Sequence, residues 1–168
     1  MPAIYVDTSV VTVWLFGEKR EPARYPATAE LFRLVEAGDL QGLISLYTLQ
    51  EVYSFCEDNF PPDKIRITAK LALRELLLTE LDIAPLLRRT ERLLHQRRFP
   101  LPDASDQPHA IVAYLNNCWA IITYDEHFET ISQVIKVYTP EEFLTERQRH
   151  PVPVSNQYPE PSRRLERG

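Results

Sequence analysis

Ala3-Ile4-Tyr5-Val6-Asp7-Thr8-Ser9 is the stretch whose reading decides the fold. A short apolar run that ends abruptly in a carboxylate and two hydroxyls reads as a buried strand delivering polar groups at its carboxyl end. Ala120-Ile121-Ile122-Thr123-Tyr124-Asp125 repeats the arrangement far along the chain. In open parallel sheets ligands bind in the crevice beyond the carboxyl ends of the strands, so two acids delivered there from distant segments point to one shared site.

Working outward, Gly42-Leu43-Ile44-Ser45 reads as a second strand, 80–84 as a third, 119–123 as the fourth and 134–138 as a fifth. The segments between them carry helical spacing. Residues 8–16 fit a helix, although their β-branched content leaves the type open. Residues 18–25, with Pro22, read as a loop; Pro26 then opens a helix bearing Leu31, Phe32, Leu34 and Val35, which Gly38 closes. Leu49, Val52, Tyr53 and Cys56 recur at helical spacing until Phe60-Pro61-Pro62, and Asp63 opens the next helix. Further helices are expected over 86–98, through Ala110 to Leu115, and over 140–144. Strands alternating with helices predict an α/β fold with a parallel sheet of four to five strands. One domain, 1–145, accounts for this pattern; 146–168, with Pro151, Pro153, Pro159 and Pro161, is expected to be a tail, flexible or docked on a neighbour.

Composition narrows the function. The net charge of −5 supplies no global basic field, so nucleic-acid binding would rest on a local patch or on metal ions bridging to phosphate. No apolar run approaches the roughly 20 residues of a membrane span, and the N-terminus lacks a signal-peptide pattern, so a cytoplasmic protein is expected. With glycine at only four positions, 17, 38, 42 and 168, neither a P-loop nor a dinucleotide fingerprint can form. Cys56 and Cys118 have no partner pattern and read as small buried hydrophobes.

Two further acids are placed like the first pair. Glu51 lies in the helix after the second strand, and Asp106 starts the helix before the fourth. Pro108 fixes the latter position, because its ring clashes with the carbonyl of Ala104 and keeps the helix from extending far upstream. A helix dipole contributes only about 0.3–1 kcal/mol to a carboxylate in its first turn, too little to offset repulsion among several acids in one cleft. A divalent cation resolves that repulsion, and oxygen donors without a His/Cys cluster favour Mg²⁺ or Mn²⁺ over zinc. Thr8, Ser9 and Thr123 would orient the carboxylates by hydrogen bonding. Such a centre suits phosphodiester hydrolysis.

These residues resemble the motifs of the PIN-domain nucleases, the family of the VapC-like toxin ribonucleases. Asp7-Thr8-Ser9 looks like the opening motif and Glu51 like the helical acid. Asp106-Gln107-Pro108-His109-Ala110-Ile111-Val112-Ala113 looks like the Asp-x-x-His-x-x-x-Ala segment, and Thr123-Tyr124-Asp125-Glu126-His127-Phe128 like the last motif. The resemblance covers about residues 3–143. It implies a Rossmann-like three-layer α/β/α sandwich and an endoribonuclease using Mg²⁺ or Mn²⁺, with Asp7, Glu51, Asp106 and Asp125 as catalytic metal ligands. It also implies an RNA substrate, an antitoxin protein as partner, and a homodimer. The chain departs from the family pattern at Pro108 and in its proline-rich end.

Plainer readings stand beside these. Asp7 and Asp125 could serve only as helix caps, and Glu51 could face solvent. His109 suits either substrate contact or a packed, hydrogen-bonded role; His127 reads as a surface or packing residue. Asp103 is near Asp106 but outside the motif. Arg88, Arg89 and Arg92, with Arg97 and Arg98, form the densest basic stretch and could track phosphates or merely be solvated. Trp14 and Phe16 suit core or dimer-interface positions. The alternative function is a non-catalytic PIN-like module that binds RNA or protein.

Overall fold

Ile, Tyr and Val favour extended backbone, and they form β1 (Ile4–Val6), buried along its length. In the computed structural model, which describes residues 3–149, parallel partners flank this strand on both sides. β2 (Gly42–Ser45) pairs through Ile4 and Gly42, and β4 (Ala120–Ile122) through Tyr5 and Ile121. β3 (Asp82–Ala84) and β5 (Lys136–Tyr138) complete an all-parallel five-stranded sheet in the order β3-β2-β1-β4-β5. The chain leaves β1 toward β2 and returns to place β4 on its other side. That reversal makes the carboxyl ends of β1 and β4 the switch point where such sheets bind ligands.

The helices are α1 (Thr8–Arg20), α2 (Tyr25–Glu36), α3 (Leu46–Asn59), α4 (Pro62–Leu77), α5 (Arg89–His95), α6 (Gln107–Leu115) and α7 (Pro140–Arg149). Alternate strand residues divide the core. Ile4, Val6, Ile44 and Ile122 pack with residues of α1, α2, α3, α4 and α7 on one face. Tyr5, Leu43 and Ile121 pack on the other with α6, Phe99 and Phe128. The expected three-layer sandwich results.

Several boundaries differ from the sequence expectation. α1 runs to Arg20, so the loop expected over 18–25 shrinks to four residues, 21–24. Lys19 and Arg20 favour the helix's negative end, and the residue before Pro22 is the one driven out: Glu21 sits at φ −134, ψ 59. The helix expected over 86–98 is shorter, with α5 followed by a single 3₁₀ turn, Gln96–Arg98. Its start is set where the Glu91 carboxylate accepts the Arg88 N–H at 2.7 Å. α7 extends to Arg149, past the expected 144; residues 150–168 of the proline-rich tail lie outside the described residues.

α2 ends in a Schellman motif: the N–H of Gly38 bonds Val35 O at 2.9 Å and that of Asp39 bonds Leu34 O at 2.9 Å. Gly38 has φ +72 and open space around it. Gly38→Ala is therefore expected to destabilise by about 1 kcal/mol through backbone strain alone, read as a lower urea midpoint at unchanged slope.

Trp14 stacks on Phe32 with centroids 4.3 Å apart, and Phe16 stacks on Phe55 at 5.2 Å, so both pack within the chain. Cys56 and Cys118 are buried and free; burial pushes the Cys118 thiol up to about 12, away from reactivity. Among the described residues, no helix is long and apolar enough to cross a membrane.

Candidate metal centre

Asp7 follows β1 directly and caps α1, but the cap uses only one of its oxygens. Oδ2 accepts from the Ser9 N–H at 3.1 Å, the Ser9 hydroxyl at 2.6 Å and the Thr123 hydroxyl at 2.9 Å. Those hydroxyls are in turn held by backbone: the Tyr124 N–H donates to Ser9 Oγ at 3.0 Å and the Asp125 N–H to Thr123 Oγ1 at 2.9 Å. Each hydroxyl thus gives its proton to Asp7 and receives one from the segment after β4. Asp7 is buried and aimed by both strands, with Oδ1 taking no hydrogen bond among the described residues.

Asp125 likewise caps the 3₁₀ helix Glu126–Ile131 through Oδ1, which accepts the His127 N–H at 2.8 Å. For both acids the cap and the site are not alternatives. One oxygen fixes the side chain locally and the other is left over.

Asp106 occupies the N-cap position of α6, yet its side chain caps nothing. Its backbone oxygen accepts from the N–H groups of His109 and Ala110, at 3.1 and 3.2 Å. Pro108 fits the first turn because its missing N–H would be unpaired there anyway. Asp106 Oδ2 is buried with no hydrogen-bond partner among the described residues. Burial, then the charges of Asp125, Asp7 and Asp103, raise its carboxyl from 3.8 to about 6, with His109 opposing.

Oxygens of Asp106 and Asp125 and a ring nitrogen of His127 lie within 4.8 Å of one another. His127 Nδ1 is 3.4 Å from Asp125 Oδ1 and 3.7 Å from Asp106 Oδ2. His127, expected as a surface or packing residue, is half exposed and stands at the acids. The signal for it is its position two residues past Asp125 in a tight turn. Asp103 is committed to its own turn, accepting from Ser105 N and Oγ at 2.8 Å each, and is exposed.

Neither Asp7 nor Glu51 is part of this tight group. Thr8 Oγ1 donates to Glu51 Oε2, and His109 Nε2 stands 2.9 Å from Glu51 Oε1. His109 is 1% exposed, and its Nδ1 meets the Tyr5 hydroxyl at 2.7 Å. Both ring nitrogens are taken, which leaves none for RNA in this arrangement. Burial works to lower the His109 pKa, but the Glu51 hydrogen bond and the charges of Asp7, Glu51 and Asp106 outweigh it and raise it overall. Sequence patterning treats Tyr5 only as an apolar strand residue. A tyrosine buried between Ile4 and Val6 is itself a signal, since its hydroxyl must find a partner.

Arg88, Arg89 and Arg92 are exposed on α5 and the extended residue before it. Arg98 donates to the Tyr114 hydroxyl and lies over its ring, 4.7 Å from the centroid. Gln107, next to Asp106, donates to the backbone oxygens of Gln96 and Phe99 at 3.1 and 2.9 Å, which ties the end of the basic segment to the first turn of α6.

The donor chemistry fits a divalent cation. A buried carboxylate oxygen without a partner, raised by neighbouring acids, is the state that a cation relieves. Asp7, Asp106 and Asp125 offer hard oxygens, with Glu51 behind Thr8 and His127 at the rim.

Fold and site together define a Rossmann-like sandwich with an acidic crevice at its switch point. A family model described as PIN domain matches residues 3–127, and the chain belongs to that family. Comparison with curated proteins gives no match. Among solved structures the chain is similar to DNA-bound VapBC from Salmonella typhimurium, at 19% identity and TM-score 0.57, over 83% of this chain and 99% of that one. It is similar to VapBC2 from Rickettsia felis bound to a promoter DNA fragment, at 16% and 0.53, over 80% and 96%. It is also similar to Mycobacterium tuberculosis VapC20, described as a sarcin-ricin loop cleaving toxin, at 16% and 0.57, over 76% and 94%. At these identities the likeness speaks to the fold.

Proposed function

We propose that this chain is a divalent-metal-dependent endoribonuclease, the toxin of a toxin–antitoxin pair, acting in the cytoplasm as a homodimer held in check by an antitoxin protein. The observation that carries the catalytic part is the buried Asp106 oxygen, unpartnered among the described residues, close to Asp125 and repelled by the charges of Asp125 and Asp7. The similar structures of VapBC and of a VapC described as a sarcin-ricin loop cleaving toxin support the toxin part. Asp7, Asp106, Asp125 and Glu51 would hold Mg²⁺ or Mn²⁺, which when bound supplies an activated water for in-line attack and neutralises charge on the leaving oxygen.

The chain's own groups do the rest. Ser9 and Thr123 hold Asp7 in one orientation, and Thr8 holds Glu51. Arg88, Arg89 and Arg92 present positive charge on the segment tied to α6, where they would meet RNA phosphates. Replacing the three with Ala is expected to weaken RNA binding and to flatten its salt dependence by about 0.7 in log–log slope for each phosphate no longer neutralised. A slope equal to that of the wild type in a filter-binding series would remove these residues from the RNA surface.

The central test is cleavage of structured RNA by pure protein with Mn²⁺ or Mg²⁺, in wild type and Asp7→Asn. Loss of a group that merely supports a ligand costs about 10–100-fold, so loss of Asp7 is expected to cost at least about 100-fold. If wild-type protein binds RNA and leaves it intact under every divalent ion, the non-catalytic module is the correct reading.

A further inference from the structure

We propose that His109 is a positioning residue for the metal centre: backed by Tyr5, it holds Glu51 in the orientation in which that carboxylate serves the ion, and so sets the ion's affinity. The inference rests on the reading of Asp7, Glu51, Asp106 and Asp125 as metal ligands.

Five side chains from five elements make one continuous chain. Ser45, at the end of β2, meets the Tyr5 hydroxyl of β1 at 2.9 Å. Tyr5 meets His109 Nδ1 at 2.7 Å, His109 Nε2 meets Glu51 Oε1 at 2.9 Å, and Thr8 closes the far end on Glu51 Oε2. Ser45 and Tyr5 are fully buried and His109 is 1% exposed, whereas Glu51 is 35% exposed at its side chain. A buried train therefore ends on a part-exposed carboxylate, shared with Thr8, the residue next to Asp7.

The link does not depend on the charge of the imidazole. A carboxylate can only accept, so Nε2 carries the proton toward Glu51 whether the ring is neutral or cationic. At the other end the phenol has a single proton: given to Ser45 Oγ it leaves the phenol oxygen to accept from Nδ1–H, and with a neutral ring it turns to Nδ1, so the His109–Tyr5 contact holds in both cases. Position is what the arrangement fixes.

Packing alone does not call for this pattern. A Phe at position 5 would fill the layer of β1 as well as Tyr, without a hydroxyl to satisfy in the core. His109 is also flanked by Tyr47, with ring centroids 5.9 Å apart, and meets Tyr5 edge-on at 5.8 Å. Its ring is locked from the sides while both nitrogens are used along the chain. A glutamate on a helix has three rotatable bonds, and it gains a single orientation only when both oxygens are held, as His109 and Thr8 hold them. Outer partners that orient a ligand in this way typically change metal affinity by about 10–100-fold.

The test is a calorimetric Mn²⁺ titration of the full chain, with metal-free melting temperatures taken alongside. His109→Ala is expected to weaken Mn²⁺ binding about 10–100-fold, and Tyr5→Phe, which keeps the packing, about 10-fold. His109→Gln retains an N–H toward Glu51 and is expected to recover most of the affinity lost in His109→Ala. Wild-type binding that is lost in Asp106→Asn but unchanged in Tyr5→Phe and His109→Gln and His109→Ala overturns this proposal alone. Gln binding as weakly as Ala also overturns it, because a purely structural role predicts that result. A wild type that takes up no Mn²⁺, or an Asp106→Asn variant that binds it unchanged, overturns the metal-centre reading itself.

Discussion

Asp106→Asn is expected to abolish metal-dependent RNA cleavage, by more than about 100-fold, while making the metal-free protein more stable above pH 6. The two effects share one cause. In the folded chain the Asp106 carboxyl is raised from 3.8 to about 6, first by burial and then by Asp125, Asp7 and Asp103. Above pH 6 the group is ionised whether the chain is folded or not, so the folded state carries the whole penalty, at most about 3 kcal/mol. Solvent reaching the cleft and the polar demands of the amide reduce the gain on substitution to about 1–2 kcal/mol. For a domain of this size that is a rise of about 2–8 °C in Tm. Most point substitutions destabilise, so a gain coupled to lost activity would mark a charge kept for function. A lower Tm for Asp106→Asn in EDTA at pH 7.5 would contradict it.

The second large effect concerns pH and metal together. A carboxyl whose folded pKa lies above its unfolded value contributes stability below the unfolded pKa, and that contribution is lost as pH rises through the folded value. Metal-free protein should accordingly lose stability between about pH 4 and pH 6 on account of Asp106. With Mn²⁺ at about 100 times its Kd the ion adds about 2.7 kcal/mol, and it binds only as the acids ionise, so the slope should reverse over the same window. Melting curves from pH 4.5 to 7.5 in EDTA and in Mn²⁺ compare the two directly. Parallel profiles would sink the claim that a divalent ion sits on these acids. Asp103 and Glu30, both lowered by local hydrogen bonds, are present in both profiles.

Legibility followed the range of the interactions. β1, β2 and β4 were readable because each is a short apolar run whose alternate residues feed two cores, and the closing of α2 at Gly38 because a left-handed residue there is a local demand. The roles of Asp7 and Asp125 were half readable. Capping was visible in residue type, and the strand ends implied one shared edge, where Thr123 Oγ1 joins the Asp7 carboxylate to the Asp125 N–H. The length of α1 and the start of α5 escaped the sequence, because charge suggests a loop where helix-forming side chains continue until Pro22 acts, and composition suggests a long helix where the Glu91 cap sets the start.

Residue order established strands that end in acids, a family pattern and a list of carboxylates, since each of these depends on neighbours along the chain. It did not establish which oxygens are left over. That Asp7 spends Oδ2 on Ser9 and Thr123, that Asp106 keeps a buried oxygen without a partner among the described residues, and that both ring nitrogens of His109 meet Glu51 and Tyr5 were settled by the folded arrangement. Hydrogen-bond satisfaction and charge repulsion act over a few ångströms across segments about a hundred residues apart, and only packing β1 against β4, with α6 above them, brings those segments within that distance.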